Sequence, residues 1–376
     1  MSPPRNGAVS TTWASDVLPL FLELAAIPSP SGQEEAVAER VRAYLRDLGA
    51  EVETDEAGNL LARLAATDGQ DVASVFLCAH LDTVPPTGPL EPVVEDGVVR
   101  NAGGTILGAD DKAAVAAILE ATRLLLAEGR PHAGVELLFT TREETGLEGA
   151  RAFDVSRLRA RLGVVYDYSG SVGEIVVAAP SGRAIDALFT GRPAHAGINP
   201  EDGRSAVRAT ARAISDLCLG RIDGETTANV GLIQGGSALN VVPATCRVAA
   251  EARSRDERKL ADLVQEMLDS FAFAAAVSEC EVEAAVEDKY RGYRLAPDDP
   301  ALLLARTALE RAGFTPRDVE VGGGADVNVF VERGLSCVNL ANGMAKVHTA
   351  EEEIAVADLD AMLRVTLELV EVARGA

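Results

Sequence analysis

The chain has 376 residues, 47% of them apolar and 25% charged, with a formal net charge of −23. Such a length suits two domains, or one large domain with an insertion, around a sizeable core. The acidic balance (pI ≈ 4.6) excludes nucleic acid and anionic membrane surfaces as partners, since both require a basic face.

Five cysteines (Cys78, Cys218, Cys246, Cys280, Cys337) are an odd number and show no C-x-x-C spacing. This fits buried free thiols in a reducing compartment better than a disulfide frame. The amino-terminal region lacks a basic cluster, and its apolar stretch at 17–27 is broken by Glu23. A cytoplasmic protein is expected, with neither a membrane span nor a signal peptide.

Residues 1–12 read as a disordered leader. An amphipathic helix is expected over 13–27, stopped by Pro28-Ser29-Pro30. Ser31 with Glu34 three positions on is a capping-box pattern, opening a second helix that ends near Gly49. Strands are expected at 59–64 and 73–79, the second running straight into His80-Leu81-Asp82. An Ala/Leu-rich helix should cover 112–128. The apolar run 135–140 then delivers Glu143 and Glu144 into a Gly-containing loop. A further strand at 162–166 ends at Asp167. Alternating strands and helices predict an α/β layer: a mixed, largely parallel sheet sandwiched by helices, with its site where the strands end.

The pattern changes after Pro180-Ser181-Gly182. Strand 183–190, helix 205–219, strands 228–233 and 244–254, helix 257–275 and strand 281–286 follow the ferredoxin-like order. After the linker 296–300 come a Gly322-Gly323-Gly324 turn and a closing helix at 356–372. The expected organisation is therefore a catalytic domain at 1–180, an inserted ferredoxin-like α+β lid at 181–293, and the rest of the catalytic domain at 294–376.

Three of the four histidines lie in suggestive places. His80 and Asp82 share one face at a strand end. Asp110 stands before a helix, Asp167 ends a strand, and His348 follows an apolar run. Singly, a strand-end His is ordinarily just hydrogen-bonded, and an Asp before a helix is ordinarily a cap. Together they form a mixed nitrogen and oxygen donor set without thiolates, suited to zinc, manganese or cobalt, with zinc favoured for hydrolysis. His132 matches no motif and reads as structural.

The motifs A-H-L-D-T-V at 79–84, G-A-D-D-K-A at 108–113, E-E-T-G at 143–146, Y-D at 166–167 and K-V-H-T-A at 346–350 resemble the zinc exopeptidases and deacylases. That family includes peptidase T, glutamate carboxypeptidase, succinyl-diaminopimelate desuccinylase and the aminoacylases. The resemblance spans nearly the whole chain. It implies two divalent metal ions sharing Asp110, with His80 and Asp167 on one, and Glu144 and His348 on the other. Glu143 would be the general base and Asp82 the partner that orients His80. In the lid, His195 would stabilise an oxyanion, often from across a domain or dimer interface, while Asn240 and Arg253 would meet substrate. The segment G-G-G-A-D-V-N at 322–328 resembles the peptidase T-like branch most. Tyr168 and Ser169 depart from that branch, which usually has a small residue or Gly there. The function expected is cleavage of short peptides near the amino end, as by a tripeptide aminopeptidase; the alternative is an N-acyl amino acid deacylase or desuccinylase, or a carboxypeptidase, of the same family. A non-catalytic binding protein on this scaffold would be expected to lack a ligand or the base, and the sequence lacks neither.

Overall fold

The computed structural model describes residues 15–67, 69 and 73–375; the leader and the first residues of the expected first helix lie outside them. The first half of the chain forms α1 (Val17–Ala25), α2 (Glu35–Asp47), β1 (Glu51–Thr54), β2 (Leu60–Leu64), β3 (Ala73–His80), the hairpin β4 (Pro92–Glu95) and β5 (Val98–Asn101), and α3 (Ala109–Ala127). It continues through β6 (Gly134–Thr140), α4 (Glu148–Ala152), β7 (Leu162–Tyr168) and β8 (Glu174–Ala179). Next come β9 (Ser181–Thr190), α5 (Ala206–Asp216), β10 (Gly220–Arg221), β11 (Thr226–Gly235), β12 (Thr245–Ser254), α6 (Glu257–Val277) and β13 (Glu281–Tyr290). The chain closes with β14 (Tyr293–Arg294), α7 (Pro300–Arg311), β15 (Arg317–Glu320), α8 (Asp326–Glu332), β16 (Ser336–Ala341), β17 (Glu353–Ala355) and α9 (Val356–Ala373).

The central sheet has the order β1-β2-β6-β3-β7-β16-β8-β14, with β15 pairing β8. Its middle strands β6, β3, β7 and β16 run parallel, while β1, β2 and β14 pair antiparallel at the flanks. Every residue of β6 is buried, as expected of a parallel strand covered on both faces. Helix α3 is buried nearly all round. Its run of alanines lets it pack closely against α1 and α9. The register sets His80 of β3 beside Thr140 of β6, so the carboxyl ends of these strands open at one level.

The second sheet has the order β10-β11-β12-β9-β13 and is antiparallel throughout. It holds its own core beneath α5 and α6, including Ile185, Phe189, Val248, Leu260, Met267 and Phe271. The Phe189 and Phe271 rings meet edge to face at 5.8 Å. Without the short β10, the strand order is the ferredoxin-like one expected from the sequence. Both chain crossings between the sheets are tied by Asn328 of α8, whose amide donates to the carbonyls of Pro180 (3.2 Å) and Arg291 (2.8 Å).

Two local expectations are corrected. Ser31 does not cap α2; the cap position is Glu34. The Ser31 hydroxyl donates instead to Asp82 Oδ2 at 2.7 Å, while Glu34 accepts from the backbone of Gly32 (2.8 Å) and Arg142 (3.0 Å). A fully buried carboxylate such as Asp82 needs donors more than an exposed helix start needs a cap. Asp167 lies within β7 rather than ending it, because β16 pairs alongside as far as Tyr168.

Phe76 of β3 lies opposite Gly163 of β7 and packs edge to face on Phe330 of α8 at 5.3 Å. A methyl group on Gly163 would overlap the Phe76 ring. Gly163→Ala is therefore expected to cost about 1–3 kcal/mol through overpacking, seen as a lower Tm. An unchanged Tm would show that the ring can move aside freely.

Candidate active site

Five segments meet at the carboxyl edge of the central sheet. β3 supplies His80, the turn after β6 supplies Glu143 and Glu144, β7 supplies Asp167, the start of α3 supplies Asp110, and the loop before β17 supplies His348. The chain turns sharply after β6, with Arg142 at φ 50°, so the adjacent glutamates need not point to opposite faces as they would within a strand. Asp110 and Asp111 have non-helical backbone angles at the start of α3, consistent with a regular helix only from about Lys112.

Asp110 is the shared member. Its Oδ1 lies 3.1 Å from His80 Nε2, and its Oδ2 lies 3.3 Å from His348 Nε2. His348 Nε2 is also 3.1 Å from Glu144 Oε2. Two sets of three donors, His80–Asp110–Asp167 and Asp110–Glu144–His348, each place their ligand atoms within 4.8 Å of one another. A third such set, His80–Glu143–Glu144, brings in both glutamates. What separates them is that Glu144 is engaged with His348, while the carboxyl of Glu143 has no hydrogen bond or ion pair among the described residues and faces the cavity. Glu144 Oε1 is buried without a partner, which is the kind of orphaned anionic oxygen that a cation satisfies.

The charges are strongly perturbed. Burial would raise the carboxyl of Asp110, but hydrogen bonds with His348 and His80 outweigh it and hold it below the usual range. The same contacts, to Asp110 and Glu144, push His348 up to about 10. Burial, then the charge of Asp167, raises Glu143; burial, then Asp110, raises Asp167. So many buried carboxylates with so few protein cations fit a site made for metal ions.

Asp82 does more than flank His80. His80 Nδ1 is 2.9 Å from its carbonyl oxygen, and its carboxylate accepts the backbone N–H groups of Glu143 (2.9 Å) and Glu144 (3.1 Å). One buried side chain thus fixes both glutamates. Asn339 of β16 does the same for Asp167, accepting its N–H and donating to its carbonyl, both at 2.8 Å.

A cavity of about 610 Å³ opens above these residues. Its far wall comes from the five-stranded sheet: Arg183, Glu251, Arg253, Lys289 and Tyr290. Arg253 donates to Glu251 at 2.8 Å, and its Nε is buried without a partner. His195 and Asn240 are not part of this cavity. Both are exposed and adjoin each other, through the 2.9 Å bond from Ala196 N–H to the Asn240 carbonyl. His132 is buried and bonded to Thr67 and Ala133, as a structural histidine would be. Lys289, Tyr290 and Arg183 also line the cavity, although their alternation along the sheet gives no sign in the sequence of facing a metal site.

Buried His80, Asp110 and Glu143, half-buried Glu144 and Asp167, and the exposed His348, gathered at the carboxyl edge of an α/β sheet under a cavity of this kind, are the arrangement of a hydrolytic metallopeptidase. The profile of Peptidase family M20/M25/M40 matches residues 76–372, and the chain belongs to that family. It is 38% identical over 359 residues to the uncharacterized protein YqjE of Bacillus subtilis, covering 93% of this chain and 96% of that one. The crystal structure of aminopeptidase PepT from Bacillus cereus matches with a TM-score of 0.81 at 37% identity, covering 95% of this chain and 98% of the other. A tripeptidase from Staphylococcus aureus matches with a TM-score of 0.87 at 34% identity, covering 96% and 98%. Among the described residues, no helix is long and apolar enough to cross a membrane.

Removing divalent metal should destabilise the fold by leaving these carboxylates facing one another. Restoring zinc at about 100 times its Kd adds about 2.7 kcal/mol per site, or roughly 3–5 °C in Tm for a chain of this length. A Tm indifferent to chelation and to added zinc, cobalt or manganese would rule out a folded-state metal site.

Proposed function

We propose that the protein is a zinc-dependent tripeptidase or aminopeptidase acting on short peptides. The observation that carries this reading is Asp110, whose two oxygens face two different histidines at 3.1 and 3.3 Å. The other support is the likeness to an aminopeptidase and a tripeptidase over nearly the full chain.

Asp110 would be shared by two ions, with His80 and Asp167 completing one and Glu144 and His348 the other. Nitrogen and oxygen donors without thiolate favour zinc for hydrolysis, with cobalt or manganese as substitutes. Such a pair, when bound, polarises a scissile carbonyl and brings the pKa of water down toward ~7. Glu143, held at its backbone by Asp82, takes the proton of the attacking water and hands it to the leaving amine. Arg253, with an unpartnered buried Nε on the cavity wall, grips the peptide carboxylate. The five-stranded sheet acts as a lid over the cleft, residues 181–293 forming an inserted domain between the catalytic parts 1–180 and 294–376.

His195 and Asn240 lie outside the cavity of their own chain, and in this reading a second copy presents them to the site. They sit among exposed apolar residues, Ile198 and Leu239, which suit a homodimer through the lid. Cys78, Cys246 and Cys337 are buried free thiols, in keeping with a reducing cytoplasm.

Glu143→Gln should lower kcat by about 10²–10⁴-fold with metal content unchanged; full activity would remove Glu143 as the base. Mixing Glu143→Gln with His195→Ala should restore activity that neither variant has alone, through one intact site per mixed dimer. No restoration, with mixed dimers verified, would place His195 outside the shared site. Turnover of N-acetyl or N-succinyl amino acids, with free tripeptides left intact, would replace the peptidase reading by the deacylase one.

A further inference from the structure

Within the run Glu351-Glu352-Glu353, the middle glutamate behaves unlike its neighbours. Glu351 is exposed, and Glu353 forms surface pairs with Arg100 (2.6 Å) and Lys346 (3.1 Å). Glu352 is 1% exposed. Its Oε2 accepts the backbone N–H of Gly108 at 2.7 Å, and its Oε1 accepts the N–H of Asp110 at 2.9 Å. Both oxygens of one carboxylate therefore hold the turn that presents Asp110.

The same side chain belongs to the loop that presents His348. That loop is closed at its base by reciprocal bonds between Ala345 and Glu353 (2.9 and 3.0 Å). Within it, Glu352 N–H donates to the Thr349 carbonyl at 3.1 Å, and the Thr349 hydroxyl donates to the Lys346 carbonyl at 2.7 Å. His348 stands in this loop at φ 64°. Asp110 and His348 are far apart in sequence, and Glu352 joins their two loops directly.

We propose that Glu352 is a positioning residue for the metal centre: it fixes the Asp110 turn against the His348 loop, so that the shared carboxylate is already aimed at both ions before they bind. A ligand held in place by an outer hydrogen bond loses less freedom on binding, and removing such a partner typically costs 10–100-fold in metal affinity. This inference rests on the reading of Asp110 as a shared ligand.

The test is zinc affinity, read by competition with a chromophoric chelator. Glu352→Gln offers one acceptor oxygen where two N–H groups need one each. Glu352→Asp keeps the charge but is one methylene shorter, and serves if the Gln variant does not fold. Gly163→Ala, strained in the core against the Phe76 ring and outside both loops, controls for general loss of stability. The expected result is a 10–100-fold weaker zinc affinity in Glu352→Gln, a smaller loss in Glu352→Asp, and wild-type affinity in Gly163→Ala. Wild-type affinity in both Glu352 variants would overturn the proposal, as would an equal loss in Gly163→Ala. Failure of the unmodified protein to bind zinc would instead overturn the metal-site reading, and this proposal with it.

Discussion

Like charges packed together are the constraint on which this structure turns. Asp110, Glu143, Glu144 and Asp167 line one cavity, with the imidazoles of His80 and His348 as the nearest balancing groups. Two like charges 4 Å apart repel by about 4 kcal/mol at an effective dielectric near 20. Such a cluster persists only if the backbone beneath it is held rigidly and if cations are available to it. Asp82 pins both glutamates, Asn339 pins Asp167, and Glu352 pins Asp110. Each of these fixes a backbone N–H, so it positions a ligand without consuming the ligand's own oxygens.

The parallel sheet makes the convergence economical. Strands β3, β6 and β7 run side by side in one direction, so their ends arrive together while the sequence between them is taken up by helices on the faces. The carboxy-terminal part returns to the same sheet through β14, β15 and β16, and brings His348 and Glu352 to the edge already occupied by His80 and Asp110. The five-stranded sheet, with a core of its own, is free of that burden and contributes the opposite, cation-bearing wall of the cavity.

Much of this was legible in the sequence because it is local. Apolar runs at 73–79, 135–140 and 162–166 become β3, β6 and β7, and the Ala-rich segment becomes α3. The residues singled out, His80, Asp110, His348 and Glu144, make an unbroken run of contacts of 3.1, 3.3 and 3.1 Å in that order. What escaped depends on contacts across many residues. Ser31 looks like a helix cap until Asp82 is seen to need its hydroxyl. Glu352 looks like one of three solvated glutamates until Gly108 and Asp110 are found against it. His195 and Asn240 carry a recognisable motif, yet no periodicity tells whether a lid loop closes on its own cleft or on another's.

The most direct test of the account is anomalous diffraction from crystals grown with zinc. Two peaks about 3.5–4 Å apart are expected, one on each side of the Asp110 carboxylate, with Glu143 left unligated beside them. A single peak, or density that engages Glu143 and leaves His348 free, would contradict the shared-ligand assignment on which the proposed chemistry is built.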